Sequence, residues 1–92
     1  MDLPQLIASA ICNENYLVSL HAQRRLRQRG IELWQIETGV TGWLVEEVRP
    51  DDLPNPSMVC KQTLPDGAEV TVIWAFVPED GQALLVTVYF PG

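Results

Sequence analysis

Histidine, cysteine and basic residues are scarce in this sequence, and each scarcity removes a class of function. There is a single histidine, His21, and two cysteines, Cys12 and Cys60, which share no CxxC spacing. That is too few ligands, wrongly spaced, for a tetrahedral zinc site, so both thiols are expected as reduced core side chains. Long apolar runs are also missing. The longest, residues 70–77, is interrupted by Thr71, stops at Pro78, and falls far short of the ~20 residues a membrane helix needs. The opening Met1-Asp2-Leu3-Pro4 lacks a basic segment, and Asn13-Glu14-Asn15 cuts off the apolar stretch behind it. No export signal is read there, and the expected compartment is the cytoplasm. No glycine-rich phosphate loop, Ser/His/Asp set or metal-spaced cluster occurs, so neither a cofactor nor a metal is expected.

Positive charge is both rare and concentrated. Six basic residues stand against twelve acidic ones for a net charge of −6, which argues against a broad nucleic-acid-coating surface. Four of the six, Arg24, Arg25, Arg27 and Arg29, fall within six consecutive positions. A local anion site survives that arithmetic, whereas RNA as a general partner is disfavoured. With 47% hydrophobic residues, the chain also has the apolar content that a disordered segment lacks, and residues 1–92 read as one domain.

The pattern divides the chain into helices followed by strands. Leu3, Leu6, Ile7, Ala10 and Ile11 recur at helical spacing behind Asp2, a good cap, and Pro4, which suits a first turn. Residues 16–18 form a brief extended piece leading to Ser19, a second cap. Residues 20–29 contain no glycine, proline or β-branched residue, and Gly30 follows where a left-handed C-cap belongs. A third helical segment starts near Ile31 and ends near Gly39 or Gly42, with Leu33, Ile36 and Val40 inward. Residues 43–48, 58–64, 70–77 and 84–90 are β-branched and aromatic runs. Pro65-Asp66-Gly67 and Pro78-Glu79-Asp80-Gly81 read as hairpin turns, and residues 49–56 as a longer loop. The expected class is α+β: two to three N-terminal helices on one face of a four-stranded antiparallel meander. The last two strands are apolar on both alternating faces, which leaves one face for a protein partner or a second copy of the chain.

One constellation carries chemistry. His21, Arg25 and Arg29 stand four residues apart, so they lie along one flank of their helix. A histidine can move a proton near neutrality, and arginine presents a fixed fork of donors suited to phosphate. Arg24, Arg25 and Arg29 are therefore the candidate anion-binding residues. His21, Arg25, Arg29 and Tyr89 are the candidate catalytic ones, on the condition that Tyr89 approaches His21 in space. Tyr89 is expected on the sheet face that holds Thr87 and Leu85. Glu46 and Glu47, adjacent on a strand, are expected on opposite faces and so unable to chelate one ion together; with Asp51 and Asp52 they form an acidic, solubilising edge.

The run Ser19-x-His21-Ala22-x-x-Arg25-x-x-x-Arg29-Gly30-Ile31, together with the closing Val86-Thr87-Val88-Tyr89-x-Pro91, resembles the bacterial family catalogued as domain of unknown function 4258. The resemblance covers about residues 16–91. That family is similar in architecture to the RelE and BrnT toxins of toxin–antitoxin pairs, which are small α+β ribonucleases. The resemblance implies a RelE-like fold and singles out His21, Arg25, Arg29 and Tyr89, with Thr87 as a neighbour. Three expectations follow. The leading one is a domain that binds an anion or an acidic partner through its His/Arg helix. The second is a metal-independent ribonuclease using His21 or Tyr89 for proton transfer and Arg25 and Arg29 on the phosphate. The third is a homodimer without ligand.

Overall fold

A computed structural model describes residues 2–91. The first helix, α1 (Leu3–Cys12), starts at a reciprocal cap: the Gln5 amide donates to the Asp2 carboxylate and the Asp2 amide to the Gln5 side chain. Ile7, Ala10 and Ile11 form its buried stripe. The chain continues through β1 (Tyr16–Val18), α2 (Leu20–Arg29), α3 (Leu33–Thr38) and a 3₁₀ turn (Gly39–Gly42) into four longer strands. These are β2 (Leu44–Arg49), β3 (Ser57–Thr63), β4 (Glu69–Val77) and β5 (Gln82–Tyr89). Among the described residues no helix is long and apolar enough to cross a membrane.

The α+β class is as expected, but the sheet is larger. It has five strands in the order β1-β5-β4-β3-β2, and β1 pairs with β5 in parallel, so the sheet is mixed. The short piece at residues 16–18 is too small to reveal a pairing partner; only the return of β5 more than sixty residues later supplies one. Strands β2 to β5 form the expected antiparallel meander. Its two tight turns place Gly67 at φ +90° and Gly81 at φ +64°, where a side chain would be strained.

The core lies between the helices and one sheet face. Trp74, Met58, Val70, Val72, Leu85 and Val88 are fully buried there, beneath Ile7 and Ile36. Trp74 also meets Tyr16 edge to face, with ring centroids 5.9 Å apart. One polar residue, Gln62, is buried among them: its amide nitrogen donates to the Ile36 carbonyl at 2.7 Å, and its oxygen accepts from the Trp74 indole at 3.2 Å. Cys60 is buried as expected. Cys12 is exposed, because it closes α1 on the side turned away from Ile11.

Two bulges alter which residues share a face. On β5, Leu85 lies opposite Trp74 while Thr87 lies opposite Ile73, so Val86 is the extra residue. Leu85 therefore faces the core, whereas Thr87 and Tyr89 face the opposite, open side. The expected grouping of Tyr89 with Leu85 is thus corrected, and that with Thr87 stands. On β2, the register shifts between Val45 and Glu47, which breaks the alternation assumed for Glu46 and Glu47. The two carboxylates are instead held by separate cations: Glu47 by Arg49 at 2.7 Å and Glu46 by Lys61 at 3.8 Å.

Candidate functional site

The candidate residues sit on α2 and on the end of β5, and Ser19 joins the two elements. Its hydroxyl accepts from the Ala22 amide at 2.9 Å and donates to the Val86 carbonyl at 2.8 Å, while its own amide donates to the Leu85 carbonyl at 3.0 Å. One side chain thus caps α2 and satisfies the β5 edge where β1 stops. Ala22 and Leu26 are the buried residues of α2, and Gly30 ends the helix at φ +67°. The helix then runs beside β5 to its end, where the Arg29 guanidinium lies 5.6 Å from the centre of the Phe90 ring.

Handedness decides where the remaining residues point. On β5, Ala83 and Leu85 face the core while their backbone groups bond toward Asn15 and Ser19. For an L-chain that fixes the side of β5 on which α2 lies. A right-handed helix running with β5 on that side, with Ala22 and Leu26 turned inward, presents the preceding positions toward the open face. Those positions are His21 and Arg25. The flank that begins at His21 and Arg25 and reaches Arg29 thus borders the same side of the sheet as Thr87 and Tyr89. Arg25 is half-buried; His21, Arg24 and Arg29 are exposed. Among the described residues no side-chain hydrogen bond links His21, Arg25 or Tyr89 to one another. Tyr89, opposite Thr71, lies in one cross-strand row with Lys61 and Leu44.

The electrostatics of α2 differ from those of the rest of the chain. Arg49 and Lys61, the two basic residues outside it, each hold a carboxylate. Among the described residues none of Arg24, Arg25, Arg27 and Arg29 forms an ion pair, although the chain has twelve acidic residues. Arg27 and Arg29 occupy the last turn, where they offset the helix dipole by about 0.3–1 kcal/mol each. Arg24 and Arg25 have no such role.

Two features lay beyond sequence reasoning. The first is a groove on the open face, a cavity of about 160 Å³ between the β2–β3 loop and β5. Its floor is Ile73, Ala75, Leu84 and Val86, and Leu53 and Pro54 form its wall. The loop covers part of the sheet: Ser57 donates to Asp52 at 2.6 Å, and Ala75 is buried beneath. The second is Tyr16, whose phenol is pushed up to about 12 by burial and by the neighbouring Glu37 and Glu14 carboxylates. It lines a cavity of about 380 Å³ with Glu14, Val18, Leu33 and Glu37. Apolar spacing alone gives no sign of either, since each is made by segments distant in the chain.

The family model described as Domain of unknown function (DUF4258) matches residues 18–90, from the end of β1 to the residue that meets Arg29. No curated protein matches the chain. No solved structure matches it either.

Proposed function

This chain belongs to the family described as domain of unknown function 4258, and we propose that its second helix is a docking element for anionic groups: a phosphate, or the carboxylates of an acidic protein. The observation that supports this reading is the set of four arginines on α2 without an intramolecular carboxylate, in a chain of net charge −6. An acidic protein that leaves its cations unpaired retains local attraction for an anion while its remaining surface repels extended polyanions. Arginine forks on a helix held at its start by Ser19 and at its end by Phe90 are also pre-positioned, which lowers the ordering cost of binding.

The test is a nuclear magnetic resonance titration with inorganic pyrophosphate and, separately, with an oligoglutamate peptide. Amide shifts are expected to cluster between residues 19 and 30 and to vanish in Arg24→Ala/Arg25→Ala. Shifts scattered over the surface, or unchanged in that variant, would sink the reading.

A second reading has one observation in its favour. The His21–Arg25 flank and the Thr87–Tyr89 pair border one side of the sheet, which suits a RelE/BrnT-like ribonuclease in which a proton donor and arginines act on one phosphate. Its test is growth arrest on induction, relieved by His21→Ala or Arg25→Ala. A chain that leaves RNA intact and growth unaffected, yet binds pyrophosphate through α2, is a binding domain.

A further inference from the structure

The open face carries an apolar projection next to an apolar groove. Leu53 is 88% exposed on the β2–β3 loop, and the groove beside it is floored by Ile73, Ala75, Leu84 and Val86. An isolated exposed leucine is ordinary, but one standing at the rim of a cavity of its own kind is a self-complementary shape. Leu17 of β1, 49% exposed and opposite Leu84, extends the apolar strip toward α2.

The surfaces on either side of that groove carry opposite charge. The loop border holds Asp51 and Asp52, and among the described residues Asp51 has no ion-pair partner. Beyond the β5 side of the groove lies α2, whose Arg25 is on the flank toward the open face. Loop and helix lie toward opposite edges of the sheet, because the loop follows β2 and α2 flanks β5 in the order β1-β5-β4-β3-β2. The loop also lies at the Leu84 end of the strands and Arg25 toward the Phe90 end, so a half-turn about an axis in the plane of the open face, perpendicular to the line joining loop and helix, exchanges the two and turns the open faces toward each other. It brings the acidic loop of one copy over the basic helix of the other, and each Leu53 toward the other's groove. Every contact then occurs twice, as an isologous interface requires.

We propose that the anionic partner of α2 is a second copy of this chain, docked two-fold across the open face with Leu53 in the partner groove and Asp51 near the partner's Arg25. This rests on the reading of α2 as an anion-docking helix and names its occupant. It also accounts for cations that stay unpaired within one chain: their carboxylates belong to the other.

The experiment is sedimentation equilibrium of the full chain over a wide concentration range. The mass is expected to rise from 10.3 kDa toward twice that value. Arg25→Glu and Asp51→Arg are each expected to weaken the dimer at least about tenfold, since each places like charges together twice. An equimolar mixture of the two variants should dimerise again, because every mismatched pair becomes an opposite-charge pair in the mixed dimer. Leu53→Asp, at a site too exposed to affect folding, should remain monomeric while keeping the native circular dichroism. A wild-type chain that stays monomeric throughout overturns the dimer, and pyrophosphate shifts on α2 in that same chain would leave the helix reading standing. A dimer that survives Arg25→Glu overturns α2 as the docking element and this interface with it. Two monomeric variants that fail to complement each other overturn the two-fold geometry.

Discussion

Among the described residues, Gln62→Leu isolates the one fully buried side-chain polar link between helices and sheet. Gln62 is 1% exposed, and its amide group bridges the Ile36 carbonyl on α3 and the Trp74 indole on β4. Leucine is close in size, so the substitution leaves little cavity and acts mainly by orphaning two buried groups. The indole N–H loses its side-chain partner, at about 1–3 kcal/mol. The Ile36 carbonyl still accepts from the Gly39 amide, so its loss lies near the lower end of that range. The expected cost is therefore about 2–4 kcal/mol, a large share of the ~5–15 kcal/mol that holds such a domain together. Urea unfolding followed by far-ultraviolet circular dichroism measures it, with the denaturant slope checked for constancy. Trp74→Phe completes a double-mutant cycle: phenylalanine has no N–H to orphan, so the two substitutions should couple by about 1 kcal/mol. A cost below about 1 kcal/mol for Gln62→Leu, or additivity in the cycle, would refute the idea that hydrogen bonding holds this junction.

Four further outcomes are expected. Gly39→Ala should destabilise although its φ of −79° suits alanine, because the added Cβ would lie 2.6 Å from the Gln62 amide nitrogen that its bonds pin in place; thermal unfolding reads the shift, and no shift would mean Gln62 moves freely. Ser19→Ala removes the α2 cap and the bond to Val86 together, and should cost about 1–2 kcal/mol with faster hydrogen exchange at Ala22. Burial pushes the Cys60 thiol up to about 12, with a smaller push from Glu46, while the unfolded thiol ionises near its ordinary 9.0. The folded state then holds more protons above about pH 9, so stability should fall as pH rises, approaching ~1.4 kcal/mol per pH unit for this group, and Cys60→Ala should flatten that slope in urea midpoints. Tyr16, raised to about 12, should titrate nearer the ordinary 10.0 in Glu37→Gln by ultraviolet absorbance, and an unmoved titration would leave burial and Glu14 as the causes.

The helices were legible because their signals are local. Asp2 and Ser19 cap the elements they precede, Gly30 takes the left-handed turn that ends α2, and Ala22 with Leu26 is the whole inner face of that helix. The meander was legible for the same reason, since its turns and β-branched runs are contiguous. The third helix is shorter than its pattern: after Thr38 the two glycines tighten the backbone into a 3₁₀ turn, while Ile36 and Val40 stay buried. Cys12 shows a limit of base rates. A free thiol is usually buried, but position on the helix outweighs residue type, and this one falls on the exposed side of α1.

The sequence by itself determined the α+β class, the capped basic helix and the alignment of His21, Arg25 and Arg29 along one flank, because each depends on neighbours within a few turns of chain. The structure decided which side of the sheet that flank borders, that β1 pairs with β5, and that a single bulge at Val86 turns Thr87 and Tyr89 away from Leu85. It also decided that the four arginines of α2 find no carboxylate within the described chain. Those outcomes rest on register and long-range packing, where one extra residue in a strand exchanges its faces and no local pattern marks the change.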